Sequence, residues 1–302
     1  MDVCAAGRAC SGDGQCQSHN GGCVATTERD CQKSFGCEQS GRCVLSEGAC
    51  VVSQESCQKS GGCRQRGLCI AKEGACVTNE EACQASTKCT HHGLCSMRAG
   101  ACEATSNEDC ERSVECQNNG ACVVSHGLCA VGADAGCRLS AQCRKYGKCR
   151  ASEGLCVAGT DEDCLASEQC QLTGACSRSG TSCSLRTAEG CAGSLRCRQS
   201  GACRLHPNGA CVVGEAVDCE RSEACKSHGL CALGSRECKA GPTEACRRST
   251  RCETEGLCTL DGSRCKVTSD ADCARSQACK EDGRCRADPA FGRCVVNVRA
   301  RE

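Results

Sequence analysis

The apolar positions that recur along this chain with a fixed period are cysteines. They fall into eleven groups of four, each running Cys-x5-Cys-x5-Cys before a fourth cysteine. The first three groups are Cys4, Cys10, Cys16, Cys23; Cys31, Cys37, Cys43, Cys50; and Cys57, Cys63, Cys69, Cys76. The next three are Cys83, Cys89, Cys95, Cys102; Cys110, Cys116, Cys122, Cys129; and Cys137, Cys143, Cys149, Cys156. Cys164, Cys170, Cys176, Cys183; Cys191, Cys197, Cys203, Cys211; and Cys219, Cys225, Cys231, Cys238 follow. Cys246, Cys252, Cys258, Cys265 and Cys273, Cys279, Cys285, Cys294 close the series. Six residues separate the third and fourth cysteines in nine groups, seven in the group ending at Cys211 and eight in the one ending at Cys294. The period is 26 to 28 residues, which marks a tandem array of small units that bury surface by stacking. The repeats are 1–26, 27–52, 53–78, 79–105, 106–132, 133–159, 160–186, 187–214, 215–241, 242–268 and 269–302, one continuous array.

Each repeat opens with helix signals. Ser269-Asp270-Ala271-Asp272 is a capping box, a hydroxyl four residues before the first cysteine and a carboxylate at the third helical position. Thr27/Asp30, Ser106/Asp109 and Thr160/Asp163 repeat it, whereas Ala133, Glu215 and Pro242 stand at the cap position elsewhere. A helix is expected to run through the first two cysteines. Ten repeats place a serine midway between them: Ser34, Ser60, Ser86, Ser113, Ser140, Ser167, Ser194, Ser222, Ser249 and Ser276, with Gly7 in the first. At 3.6 residues per turn these three positions share an arc of about 120°. The serine is read as a small packing residue or as a hydroxyl bonded one turn back, because no base accompanies it as a nucleophile would require. Glycine stands four residues after the second cysteine in all eleven repeats, from Gly14 to Gly283, where a left-handed residue would end the helix. The spacing predicts one helix of about ten to twelve residues, too short to persist without cross-links.

Turn residues lie between the third and fourth cysteines. Asp261-Gly262 is expected at the centre of a hairpin that sets Cys258 directly across from Cys265. In most other repeats glycine falls two residues before the fourth cysteine (Gly48, Gly74, Gly154), so the turn type varies. The predicted fold class is a small disulfide-rich repeat protein, a solenoid or rod of eleven units, each a short α-helix plus a β-hairpin. At the spacing of packed helices its length would be about 100 Å.

Leu, Ile, Val and Phe number only 36, and Phe35, Tyr146 and Phe291 are the three aromatic residues. So little apolar content would ordinarily mean disorder, and the 44 cysteines reverse that reading. All 44 are read as structural disulfide partners, each bridge contributing roughly 2–4 kcal/mol. Four cysteines allow three pairings. Pairing first with fourth and second with third within each repeat suits two cysteines on one helix face meeting two on a hairpin face. The rival scheme joins the fourth cysteine to the first of the next repeat and leaves Cys4 and Cys294 unpaired.

Thirty-seven basic residues balance 37 acidic ones, which argues against nucleic-acid binding through bulk charge. No run approaches the roughly 20 apolar residues of a membrane span. No two cysteines are closer than six positions apart, unlike the pairs of zinc, iron–sulfur or Cys-x-x-Cys redox sites. His19, His91, His92, His126, His206 and His228 occupy unlike positions in their repeats. Neither a catalytic site nor a metal or cofactor site is expected. Met1-Asp2-Val3-Cys4 carries no secretory signal, so this start is read as trimmed, mature or internal to something longer.

The pattern Asp-Cys-x-x-Ser-x-x-Cys-x-x-x-Gly-x-Cys followed by a glycine-containing hairpin, seen from Asp163 to Cys183 (ending Gly180-Thr181-Ser182-Cys183) and from Asp272 to Cys294 (ending Gly292-Arg293-Cys294), resembles tandem cysteine-rich repeats in predicted exported proteins of myxobacteria. The resemblance covers essentially the whole chain. It implies a secreted or surface-anchored bacterial protein and brings no activity to any residue. The expectation is an extracellular structural or interaction protein (a stalk, surface fibre or adhesive array), self-assembling or bound to a protein or cell-surface partner. One alternative is a module binding a partner along one face. The second is an intracellular thiolate metal store.

Overall fold

A computed structural model describes residues 4–5 and 7–296. Among these, each repeat holds a helical segment followed by a two-stranded antiparallel hairpin, giving eleven separate two-stranded sheets. The seventh repeat is representative: helices Asp161–Leu165 and Glu168–Thr173, then strands Ser177–Ser179 and Ser182–Ser184.

The single helix expected from the spacing is two helices here, and the serine is the reason. Ser167 is extended (φ −81°, ψ 151°) and caps the second helix. Its hydroxyl donates to the Cys164 carbonyl at 2.7 Å and accepts from the Cys170 amide at 3.1 Å. One side chain thus satisfies an acceptor ending the first helix and a donor opening the second, groups that a helix end leaves without partners. The bond to a carbonyl three residues back is the expected back-bond, made from a cap position instead of mid-helix. Ser167 is fully buried, so water cannot substitute for it. Ser167→Ala is expected to destabilise its repeat by about 1–2 kcal/mol, read as faster exchange of the Cys170 amide.

The upstream caps follow the sequence. Asp163 accepts from the Thr160 amide at 3.0 Å and Thr160 accepts from the Asp163 amide at 3.2 Å. Where Glu215 replaces the hydroxyl residue, Asp218 still accepts from the Glu215 amide at 3.1 Å. Ala133 and Pro242 make no side-chain cap. Ser53 and Ser56 form a box with no carboxylate, and the Ser56 hydroxyl also donates to the Gly41 carbonyl of the preceding repeat at 2.5 Å. All eleven helix-ending glycines adopt φ between 67° and 81°, the left-handed region that favours glycine.

The hairpin register differs from expectation by one residue. Asp261 pairs with Arg264 and Leu260 with Cys265, so the turn centres on Gly262-Ser263 and Cys258 lies before the strand. Leaving the strand is what lets Cys258 turn back to its helix partner. Six other hairpins turn on a non-glycine residue followed by glycine, as in Glu73-Gly74, both with positive φ as a type I′ turn requires.

The chain forms two compact units, Met1–Cys143 with Cys149–Val157, and Arg144–Lys148 with Ala158–Glu302. Within each, the residue two after a fourth cysteine donates its amide to the next hairpin turn. Ala104 reaches the Gly127 carbonyl at 2.9 Å in the first unit, and Ala240 reaches Ser263 at 3.1 Å in the second. These linker alanines are buried. The largest fully buried side chains are Val267 and the first cysteines of ten repeats, so sulfur occupies the core positions.

Candidate functional site

In every repeat the first cysteine is bonded to the fourth and the second to the third, as in Cys164–Cys183 and Cys170–Cys176. Cys4 pairs with Cys23 and Cys294 with Cys273, which removes the rival scheme that left both without partners. All 44 cysteines are bridged and none is free.

The two bridges of a repeat differ in environment. In the inner one, the first cysteine is 0% exposed in ten repeats. Its partner's sulfur presses on the preceding repeat, with Cys76 Sγ 3.1 Å from the Ser40 carbonyl oxygen and Cys294 Sγ 3.2 Å from that of Glu255. The outer bridge ties the second helix to the start of the hairpin and is half-buried in most repeats.

The repeated glycine completes this arrangement. A Cβ placed on Gly93 would lie 2.6 Å from Cys129 Sγ and 2.7 Å from the Asp109 carbonyl oxygen, both in the next repeat. On Gly229 it would lie 2.7 Å from Cys265 Sγ. The glycine therefore ends its own helix and also seats the inner bridge of its neighbour. Only the first role was readable from the sequence.

The first helical residue has a function the sequence reading missed. The Asp134 carboxylate accepts from the Ala151 amide at 2.8 Å, and Asp161 accepts from Arg178, Asn107 from Val124, Gln54 from Ala71 and Asp270 from Ala287 in the same way. A side-chain oxygen at this position pins the helix to the middle of the first strand. The Ala151 amide, followed by Arg150 at 3.0 Å, holds the Asp134 carboxyl below the ordinary carboxylate range. Because the folded pKa is the lower one, this stabilisation is complete above the unfolded pKa near 4 and is lost as pH falls through the folded value. The Ala151 amide resonance is therefore expected to hold steady above about pH 4 and to move only at more acid pH.

Open grooves lie between consecutive repeats. Three of them, of about 450, 500 and 490 Å³, are lined by Cys37 and Cys43, by Cys197 and Cys203, and by Cys225 and Cys231. Residues at equivalent repeat positions form the walls. Lys59, Arg221 and Arg248, each two residues after the following first cysteine, occupy one wall. Charges of both signs are present, with Glu55 beside Lys59 and Glu244 beside Arg248.

Among the described residues no three His, Cys, Asp or Glu side chains are placed to hold a metal ion. His91 and His92 end a helix and are exposed. No described helix is long and apolar enough to cross a membrane. No protein-family model, curated protein or solved structure matches the chain. The chain is a disulfide-bonded repeat protein of a kind that forms in an oxidising environment.

Proposed function

We propose that this protein is an extracellular, non-enzymatic structural array, serving as a stalk, surface fibre or adhesive scaffold. The observation that carries this reading is that every bridge closes within its own repeat. Tension along the backbone then enters at a first cysteine, crosses to the fourth through sulfur and leaves by the linker, so helix and hairpin carry no load. Cys246 and Cys265 have Cα atoms 5.5 Å apart. With a linker of six or seven residues, a bridged repeat would extend to about 30 Å, against about 95 Å for the same residues unbridged. Such a unit resists stretching and limits what a protease releases. The resemblance to exported repeat proteins supports the same reading.

Single-molecule pulling tests the mechanical part. The oxidised chain is expected to extend by about one third of its unbridged contour length, and extension to the full length would end the proposal. Surface labelling of intact source cells tests the location, and protein found only inside them would count equally against it. A partner-binding face is the second reading, favoured by grooves that share a framework but differ in lining residues. A single partner captured by a monodisperse monomer would select it.

A further inference from the structure

We infer that the outer bridges are thiol-exchange sites that open in the folded array while the inner bridges stay closed. Two observations converge. Outer bridges line open grooves wide enough for a small dithiol, as at Cys37–Cys43, Cys197–Cys203 and Cys225–Cys231. The inner bridges are approached only from one side and through less space, as in the groove of about 240 Å³ that reaches Cys76. One sulfur belongs to a fully buried cysteine, and the other is backed by a carbonyl of the preceding repeat, as at Cys76 and Ser40.

One thiolate of an external dithiol attacks Cys203 Sγ, forming a mixed disulfide, and the Cys197–Cys203 bond breaks to release the Cys197 thiolate. The reagent's second thiolate attacks its own sulfur in the mixed disulfide and expels the Cys203 thiolate. Both protein thiolates take up protons, the protein has gained two electrons, and the dithiol has become a cyclic disulfide. The second helix keeps its shape through this step. Ser194 still caps its start, since the Cys197 amide donates to the Ser194 hydroxyl at 3.1 Å, and Gly201 still ends it. The inner bridge Cys191–Cys211 still ties helix to hairpin. Each opened repeat thus displays a thiol pair in a surface groove, at one-repeat intervals, available for mixed-disulfide formation with a thiol-bearing partner.

The test is brief treatment of the native chain with dithiothreitol, quenching with N-ethylmaleimide and peptide mapping. Label is expected at second and third cysteines, with helical circular dichroism retained and no label on first and fourth cysteines. Cys116 and Cys122 are only 7% and 8% exposed, so that bridge is expected to lag behind Cys63–Cys69. Labelling of all four cysteines of a repeat together overturns the inference. So does the absence of any label until the chain is denatured.

Discussion

Gly93→Ala is expected to dislodge the fifth repeat from the fourth, whereas Gly283→Ala leaves the last repeat in place. Both glycines hold a left-handed conformation, at φ 70° and 67°. An alanine there pays the same conformational penalty, about 1–2 kcal/mol. They differ in what the added methyl group meets. At Gly93 it falls 2.6 Å from Cys129 Sγ and 2.9 Å from Cys110 Cα, atoms held by a disulfide and a helix. Neither yields without moving the next repeat, and overpacking of this kind adds about 1–3 kcal/mol. At Gly283 no described atom lies within 4 Å. Amide exchange in the fifth repeat should therefore accelerate by orders of magnitude in the first variant, and a purely local, modest change should appear in the second. Equal effects at the two sites would show that the glycine acts through backbone conformation alone.

The second large effect separates the two bridges of one repeat. Replacing Cys246 and Cys265 by alanine opens a loop with a sequence separation of 19, against 6 for Cys252 and Cys258. Loop-closure entropy alone makes the inner bridge worth about 3 kcal/mol and the outer about 2. The inner pair also supplies the Cys265 sulfur on which Gly229 rests, so its removal loosens the neighbouring repeat as well. The inner double variant is expected to unfold the tenth repeat locally and make the chain cleavable by trypsin at Arg264 and Lys266. The outer double variant should leave those sites resistant. Equal cleavage in the two variants would contradict the hierarchy.

What was legible in the sequence and what was not divides along a physical line. Features fixed by a residue's own backbone needs were readable. The glycines had to be left-handed, Thr160 and Asp163 had to cap, and the unit had to be helix plus hairpin. The intra-repeat bridges were one of two schemes the spacing left open, and the argument for them assumed one continuous helix face that Ser167 interrupts. Cys258 leaves its strand instead of sitting across from Cys265. The break at Ser167 was hidden because its spacing from both cysteines fits a continuous helix as well as a capped junction. The pinning role of Asp134, Asp161 and Asp270 left a signal, a side-chain oxygen at the first helical position of most repeats. Its acceptor role was hidden because only the folded hairpin brings the donor amide to it. The second role of Gly93 left no separate signal, since it depends on an atom 36 residues away in another repeat.

Cross-links replace apolar burial as the source of order in this chain. Reducing all 44 cysteines in denaturant, capping them with iodoacetamide and returning the chain to buffer tests this most directly. Far-ultraviolet circular dichroism of that chain should show little helix and no cooperative melting, while the oxidised protein melts at high temperature or not at all. Recovery of the native spectrum and a cooperative transition by the capped chain would contradict it.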